Sequence, residues 1–195
     1  MTDWGAHMID IANWAMGIKA PSSAVSIGGK FGYPNDTMET PDTQQVMWAF
    51  PGFSMIWEHA LGVGRPEARE HGVQFHGEQG VLVVDRSGWE VFPETDRIDK
   101  PHRIYKFAGV PRQGTSGDMH LLHVQTFIDC MRSRKRPNSD VEIGHNSMIA
   151  CHLGNIAQRL GRQVKWDVDK EMIVGDKEAQ NYVSREYRAP WKLTS

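Results

Sequence analysis

Apolar residues recur at helical spacing over the first segment, with Met8, Ile11, Ala12, Ala15 and Met16 on one side, and the pattern stops at Gly17 ahead of Pro21. The spacing predicts a helix over 5–17, with Asp3 near its N-cap, where a carboxylate can accept unpaired backbone N–H bonds and meet the positive end of the helix dipole. From Ser22 to Phe107 the pattern changes to short alternating or β-branched runs broken by Gly, Pro, Asn and Asp, which predicts strands at 23–28, 43–50, 53–61, 71–77, 80–85, 89–92 and 103–107. Pro51-Gly52 and Glu78-Gln79 are tight enough to close hairpins, so the sheet is expected to grow as a meander. The Gly- and Pro-containing stretch from Gly109 to Gly117 reads as a linker. Beyond it Leu121, Leu122, Val124, Phe127, Ile128 and Met131 share one face of a helix that Arg132 to Pro137 closes. A second helix is expected from about 142 to 159, then a strand at 163–167 and a short helix near 176–185. This order predicts an α+β fold, a mainly antiparallel open sheet with helices packed on one face, in a single domain spanning 1–195.

Composition narrows the function classes. The 195 residues are 39% hydrophobic and 24% charged, the balance of a globular chain long enough to bury its own core. Their formal net charge of −2 gives no basic excess for a nucleic acid or an anionic membrane. Cys130 and Cys151 lack CxxC spacing and read as small core residues rather than a disulfide or thiolate cluster. No signal peptide or membrane span is visible, and free cysteines lean towards a cytoplasmic setting.

Candidate chemistry concentrates at Asp3, His7 and Asp10, because positions i, i+4 and i+7 share a helix face. A carboxylate beside an imidazole can fix its tautomer and raise its pKa toward the range useful for general acid or base work. The same spacing also suits a capping Asp with a half-buried His. Trp57 and His59 alternate with Glu58 on a strand and so face one way together. His120 and His123 form an HxxH pair, with Asp118 nearby and His145 and His152 on the next helix; without a third ligand at fixed spacing, they read as structural or substrate-lining before metal-binding. The basic run Arg132 to Arg136 reads as a solvated helix end. Gly28-Gly29-Lys30-Phe31-Gly32 lacks the strand, GxGxxG and helix context of a dinucleotide loop, so no Rossmann domain is expected in the chain.

The run Asp3-Trp4-Gly5-Ala6-His7-Met8-Ile9-Asp10-Ile11-Ala12-Asn13-Trp14-Ala15-Met16-Gly17, followed by Pro21, resembles the start of the C-terminal domain of the Gfo/Idh/MocA oxidoreductases, relatives of glucose-fructose oxidoreductase and inositol dehydrogenase. The likeness continues through Phe75 to Leu82, His123 to Cys130, Arg134 to Pro137 and Tyr187 to Trp191. It implies the substrate-binding and oligomerisation half of a NAD- or NADP-dependent sugar or polyol dehydrogenase. It also implies that the dinucleotide-binding half, with the Lys of an EKP-like motif, lies outside these residues, and that Met1 is internal to a longer protein. His7 and Asp3 match the family's DxxxH pair: His7 would take a hydroxyl proton, and Asp3 would orient it. Asp10, Trp57, His59 and His123 are the expected substrate contacts. Asp99-Lys100-Pro101 looks like the EKP motif but falls after the DxxxH pair, and is read as coincidence. The isolated chain is expected to bind no cofactor and to be inactive.

Two other functions compete. One is a non-enzymatic module that oligomerises through an exposed sheet face carrying Met47, Ala49, Met55 and Trp57. The other, ranked last, is a metal-dependent hydrolase built on His120 and His123.

Overall fold

The computed structural model describes residues 1–64, 71–94, 108–115 and 117–192. The expected strand at 103–107 and the Asp99-Lys100-Pro101 motif lie outside them. The α+β class holds, and the chain divides into two compact units, Met1–Gly64 with Ser139–Ser195 and Arg65–Asn138.

The first unit opens with α1 (Trp4–Met16), which ends at Gly17 in the left-handed conformation. A glycine meets no Cβ clash there. Strands β1 (Ser23–Gly29), β2 (Thr43–Phe50) and β3 (Phe53–Ala60) pair antiparallel, β2 and β3 turning through Pro51-Gly52 with Gly52 at φ 87°. The sheet is not the simple meander expected. Its order is β3-β2-β1 followed by β8 (Val164–Asp167) and β9 (Met172–Ile173), so a C-terminal strand lies beside the first one. The crossover is α3 (Val141–Leu160), packed on the strands through small residues: Ser147, Ala150, Cys151, Gly154 and Ala157 are buried beside Leu153 and Ile156. α1 in turn packs on α3.

The core of this unit joins Ala24, Val46, Trp48, Phe50, Val164 and Trp166 from the sheet to Ile9, Leu153 and Ile156 from the helices. Burying each large aliphatic side chain contributes about 1.5–3 kcal/mol. The Trp48 indole donates to the Ala150 carbonyl at 3.0 Å, so its one polar atom is satisfied inside the core. On α1 the buried stripe is Gly5, Met8, Ile9, Ala12 and Asn13, whereas Ala15 and Met16 are exposed. The helix is thus rotated from the face that apolar spacing selects. Gly5 admits the Cys151 sulfur, 3.3 Å from where a Cβ would stand, and Asn13 donates from its side chain to the Lys19 carbonyl.

The second unit holds a separate sheet in the order β4 (Val73–Gly77), β5 (Gly80–Asp85), β6 (Gly88–Pro93) and β7 (Val110–Gly114), all antiparallel. The Glu78-Gln79 hairpin forms as expected. β7 corrects the linker reading of 109–117: main-chain pairing to β6 holds a strand where Gly and Pro had suggested none. Arg112 on β7 grips Asp85 with bonds of 2.7 and 2.8 Å and lies 3.5 Å from Glu90. α2 (Met119–Ser133) completes the unit; β9 and α4 (Lys177–Gln180) complete the first. No helix among the described residues is long and apolar enough to cross a membrane.

Candidate functional site

Asp3 occupies the N-cap of α1 but does not cap it. Its φ of −94° and ψ of −88° leave the side chain without a cap bond, and the first turn closes on main-chain bonds from Gly5 N to the Met1 carbonyl and from Ala6 N to the Asp3 carbonyl. The expected capping role is corrected, and the carboxylate stays unspent. His7, one turn on, is exposed, with its ring edge-on to Trp4 at 6.2 Å between centroids. Among the described residues no hydrogen bond joins Asp3 to His7. Asp10 is half-buried and accepts from the Ser147 hydroxyl at 3.1 Å, which ties α1 to α3. Met8, Ile9 and Ala12 seat the opposite face of the helix, so Asp3 and His7 project from a firmly anchored element.

On β3, Trp57 and His59 share a face, as alternation requires. That face is the helix-covered one, with Trp57 paired to Val46 and Met55 to Trp48. Met55 and Trp57 are therefore corrected from exposed positions to positions packed against the core. The opposite, open face carries Val25, Ile27, Met47, Ala49 and Ile56, with Val25, Met47 and Ile56 in register across three strands.

The Trp57 indole donates to His59 Nδ1 at 2.9 Å, and His59 Nε2 lies 3.3 Å from the Pro41 carbonyl. An indole nitrogen can only donate, so Nδ1 is the acceptor and Nε2 carries the proton. Both ring nitrogens are spent on the protein. Burial lowers the His59 pKa against the opposing pull of the Pro41 carbonyl and Asp42. Burial pushes the Cys151 thiol up to about 11.

His123 sits exposed on α2 in the second unit, and His120 beside it is also exposed. Asp118 caps α2, accepting from Leu121 N at 3.0 Å. His145 pairs with Glu171 at 3.0 Å on the surface. Among the described residues, no three His, Cys, Asp or Glu side chains gather where they could share a metal ion. Gly28-Gly29 does not open a dinucleotide loop: β1 runs from it into a loop and antiparallel β2, not into a helix whose N-terminus could face a pyrophosphate.

Sequence reading missed Asp42 and Gln44, both fully buried. Asp42 accepts from the main-chain N–H groups of Phe31, Gly32 and Tyr33 and from the Thr43 hydroxyl, and so clamps the loop between β1 and β2. Burial opposes its ionisation, yet these donors outweigh it and hold its pKa down at about 2. Gln44 reaches Ser26, the Gly154 carbonyl and Asn155. Asp42 precedes β2, and Gln44 is a polar residue in the inward register of that strand, so the alternation of polar and apolar residues marks neither as buried.

Residues 117–193 match the family model described as oxidoreductase family, C-terminal alpha/beta domain; the Asp3-to-Gly17 segment lies outside that match. No curated protein matches the chain. Among solved structures, an aldose-aldose oxidoreductase from Caulobacter crescentus complexed with glycerol is similar at 16% identity and a TM-score of 0.62, over 83% of this chain and 45% of that one. An oxidoreductase from Agrobacterium radiobacter in complex with NAD+, L-tartaric acid and magnesium is similar at 14% identity and a TM-score of 0.58, over 86% and 48%. The WlbA dehydrogenase from Bordetella pertussis, in complex with NADH and UDP-GlcNAcA, is similar at 14% identity and a TM-score of 0.51, over 84% and 44%. The chain spans about half the length of these proteins, and at such identities the likeness is one of fold. The family match covers the C-terminal segment of the chain alone, and over most of its length the chain shares its fold with these oxidoreductases.

Proposed function

We propose that the chain is the substrate-binding half of a NAD- or NADP-dependent sugar or polyol dehydrogenase, with His7 as the acid-base residue and Asp3 as its partner. The observation that carries this reading is the state of Asp3: a carboxylate at a helix N-cap that caps nothing, one turn from an exposed imidazole, on a helix fixed by its opposite face. A neutral His7 can take the proton of a substrate hydroxyl as that carbon is oxidised, and Asp3 can hold the ring or a neighbouring hydroxyl. Proton transfer is the part of the reaction assigned to His7 and Asp3. Asp10 serves as a tie between α1 and α3. Trp57 and His59 offer a substrate their ring faces, since their polar atoms are committed. His123 keeps its proposed place as a substrate contact.

The test is to express the protein from its complete reading frame with its His7→Ala variant, and to follow NADH and NADPH absorbance across sugars and polyols, with the 195-residue chain as control. His7→Ala should lower kcat by about 10²–10⁴-fold, and the control should be silent. Full activity in the variant would refute the assignment of His7.

A second reading rests on the open sheet face, where Ile27 is 71% and Ile56 66% exposed. An apolar strip across three strands suits self-association through the sheet. If no sugar or polyol is oxidised and Met47→Lys converts an oligomer to a monomer by sedimentation, the interaction module becomes the better account.

A further inference from the structure

A cleft of about 440 Å³ opens in the first unit between the end of β1, the segment 39–41, the last turns of α3 and Tyr182. That volume lies within the range of small-molecule sites. Neither Asp3 nor His7 lines it.

Its walls are tied to one another by hydrogen bonds. The Gln158 side chain donates to the Gly28 carbonyl, holding α3 to β1, and Gln44 donates to Asn155 Oδ1, holding β2 to α3. His59 donates to the Pro41 carbonyl, and the Lys30 ammonium to that of Asp36. Asp42 clamps the intervening loop through Phe31, Gly32 and Tyr33. The Phe31 ring lies over Gly29 so closely that a Cβ there would stand 2.6 Å from it. A cleft fixed in this way loses little entropy on closing around a ligand.

The groups left over define the ligand. Among the described residues the Glu39 carboxylate, the Thr40 hydroxyl, the Asn155 side-chain amino group, the Arg159 guanidinium and the Tyr182 hydroxyl have no hydrogen-bond partner, and all five residues line the cleft. An anion would meet Glu39, and a cation would meet Arg159 and Lys30. A neutral molecule whose groups both donate and accept satisfies acceptor and donors together, and Tyr182 adds a flat apolar face for its C–H surface. We infer that this cleft binds a neutral, hydroxyl-rich ligand of hexose to disaccharide size, at a site apart from the DxxxH pair.

Maltose is the probe, titrated into the isotope-labelled 195-residue chain and followed by heteronuclear NMR. The expected result is saturable movement of the Gly29 and Thr40 backbone amides and the Asn155 side-chain amide, with a Kd of about 1–10 mM. Glu39→Gln and Arg159→Gln alter exposed residues that the fold does not use, and each should weaken binding at least about fivefold. His7→Ala should leave it unchanged, so the cleft and the proposed acid-base pair fail or stand separately. The inference is overturned if maltose moves no cleft resonance, if movement centres on residues 3–10, if glucuronate or glucosamine binds more tightly than maltose, or if neither cleft variant weakens the titration.

Discussion

α2 and α3 begin and end alike and differ in what covers them. Each opens on an aspartate whose side chain accepts main-chain N–H bonds, Asp118 from Leu121 and Asp140 from Glu142 and Ile143, and each closes on a left-handed residue, Arg134 at φ 58° and Gly161 at φ 62°. Yet α3 buries seven residues and α2 none. Hydrophobicity does not separate them, because Leu121, Leu122, Phe127 and Met131 of α2 are larger than most of what α3 buries. Shape does. Ala150, Cys151, Gly154 and Ala157 let the α3 backbone approach both the sheet and α1, whereas a helix of long side chains needs an apolar groove to receive it. Caps and periodicity therefore decide that a helix exists, and burial depends on a matching surface elsewhere in the chain.

The largest effect that sharpens this contrast is a pair of truncations. Trp48→Ala, beneath α3, should cost about 3–5 kcal/mol in urea denaturation, while Phe127→Ala on α2 should stay within about 0.5 kcal/mol. Similar losses from both would mean that the α2 face is covered in solution, and the comparison would fail.

A smaller effect separates two glycines of α3 itself. A Cβ on Gly154 would stand 3.0 Å from Val46 Cγ1 and 3.1 Å from Met1 Cε, whereas one on Gly144 meets nothing within 4 Å. Gly144→Ala should gain up to about 1 kcal/mol from helix propensity alone. Gly154→Ala should lose about 1 kcal/mol despite the same propensity, because overpacking opposes it. Opposite signs in thermal melts would locate the close approach of α3 at Gly154.

Smallest at neutral pH is a contrast between two carboxylates. Asp85 in the second unit is held below the usual range first by the Arg112 guanidinium and Asp42 in the first chiefly by main-chain donors that outweigh its burial, at about 2. A depressed folded-state pKa means that the Asp42 contribution is complete above the ordinary carboxylate value of about 4 and is lost as pH falls through about 2. Urea midpoints measured from pH 5 to pH 2 should fall with acidification in the wild type and less steeply in Asp42→Asn. Equal slopes would remove Asp42 as the origin of acid sensitivity.

Much of the fold is legible in the sequence. The hairpins at Pro51-Gly52 and Glu78-Gln79 and the stop at Gly17 rest on residues adjacent in the chain, whose local geometry leaves few alternatives. β7 was hidden because strand pairing can hold residues of weak intrinsic preference. The site was legible only as a spacing. Asp3 and His7 could be placed one turn apart, but an Asp at an N-cap ordinarily caps, and nothing local said that this one would not.

The sequence by itself determined the two hairpin turns, the stop of α1 at Gly17 and which residues alternate on a strand, because those properties depend on neighbours a few positions apart. Only the tertiary structure decided that β8 lies beside β1, that α1 turns Asn13 inward, that Met55 and Trp57 face the helices, and that Trp57 and Pro41 fix His59 as a neutral tautomer. Each of these depends on contacts between distant segments. Their free energy comes from close packing and paired polar groups, and no local pattern of hydrophobic and polar residues specifies which segment supplies the other side.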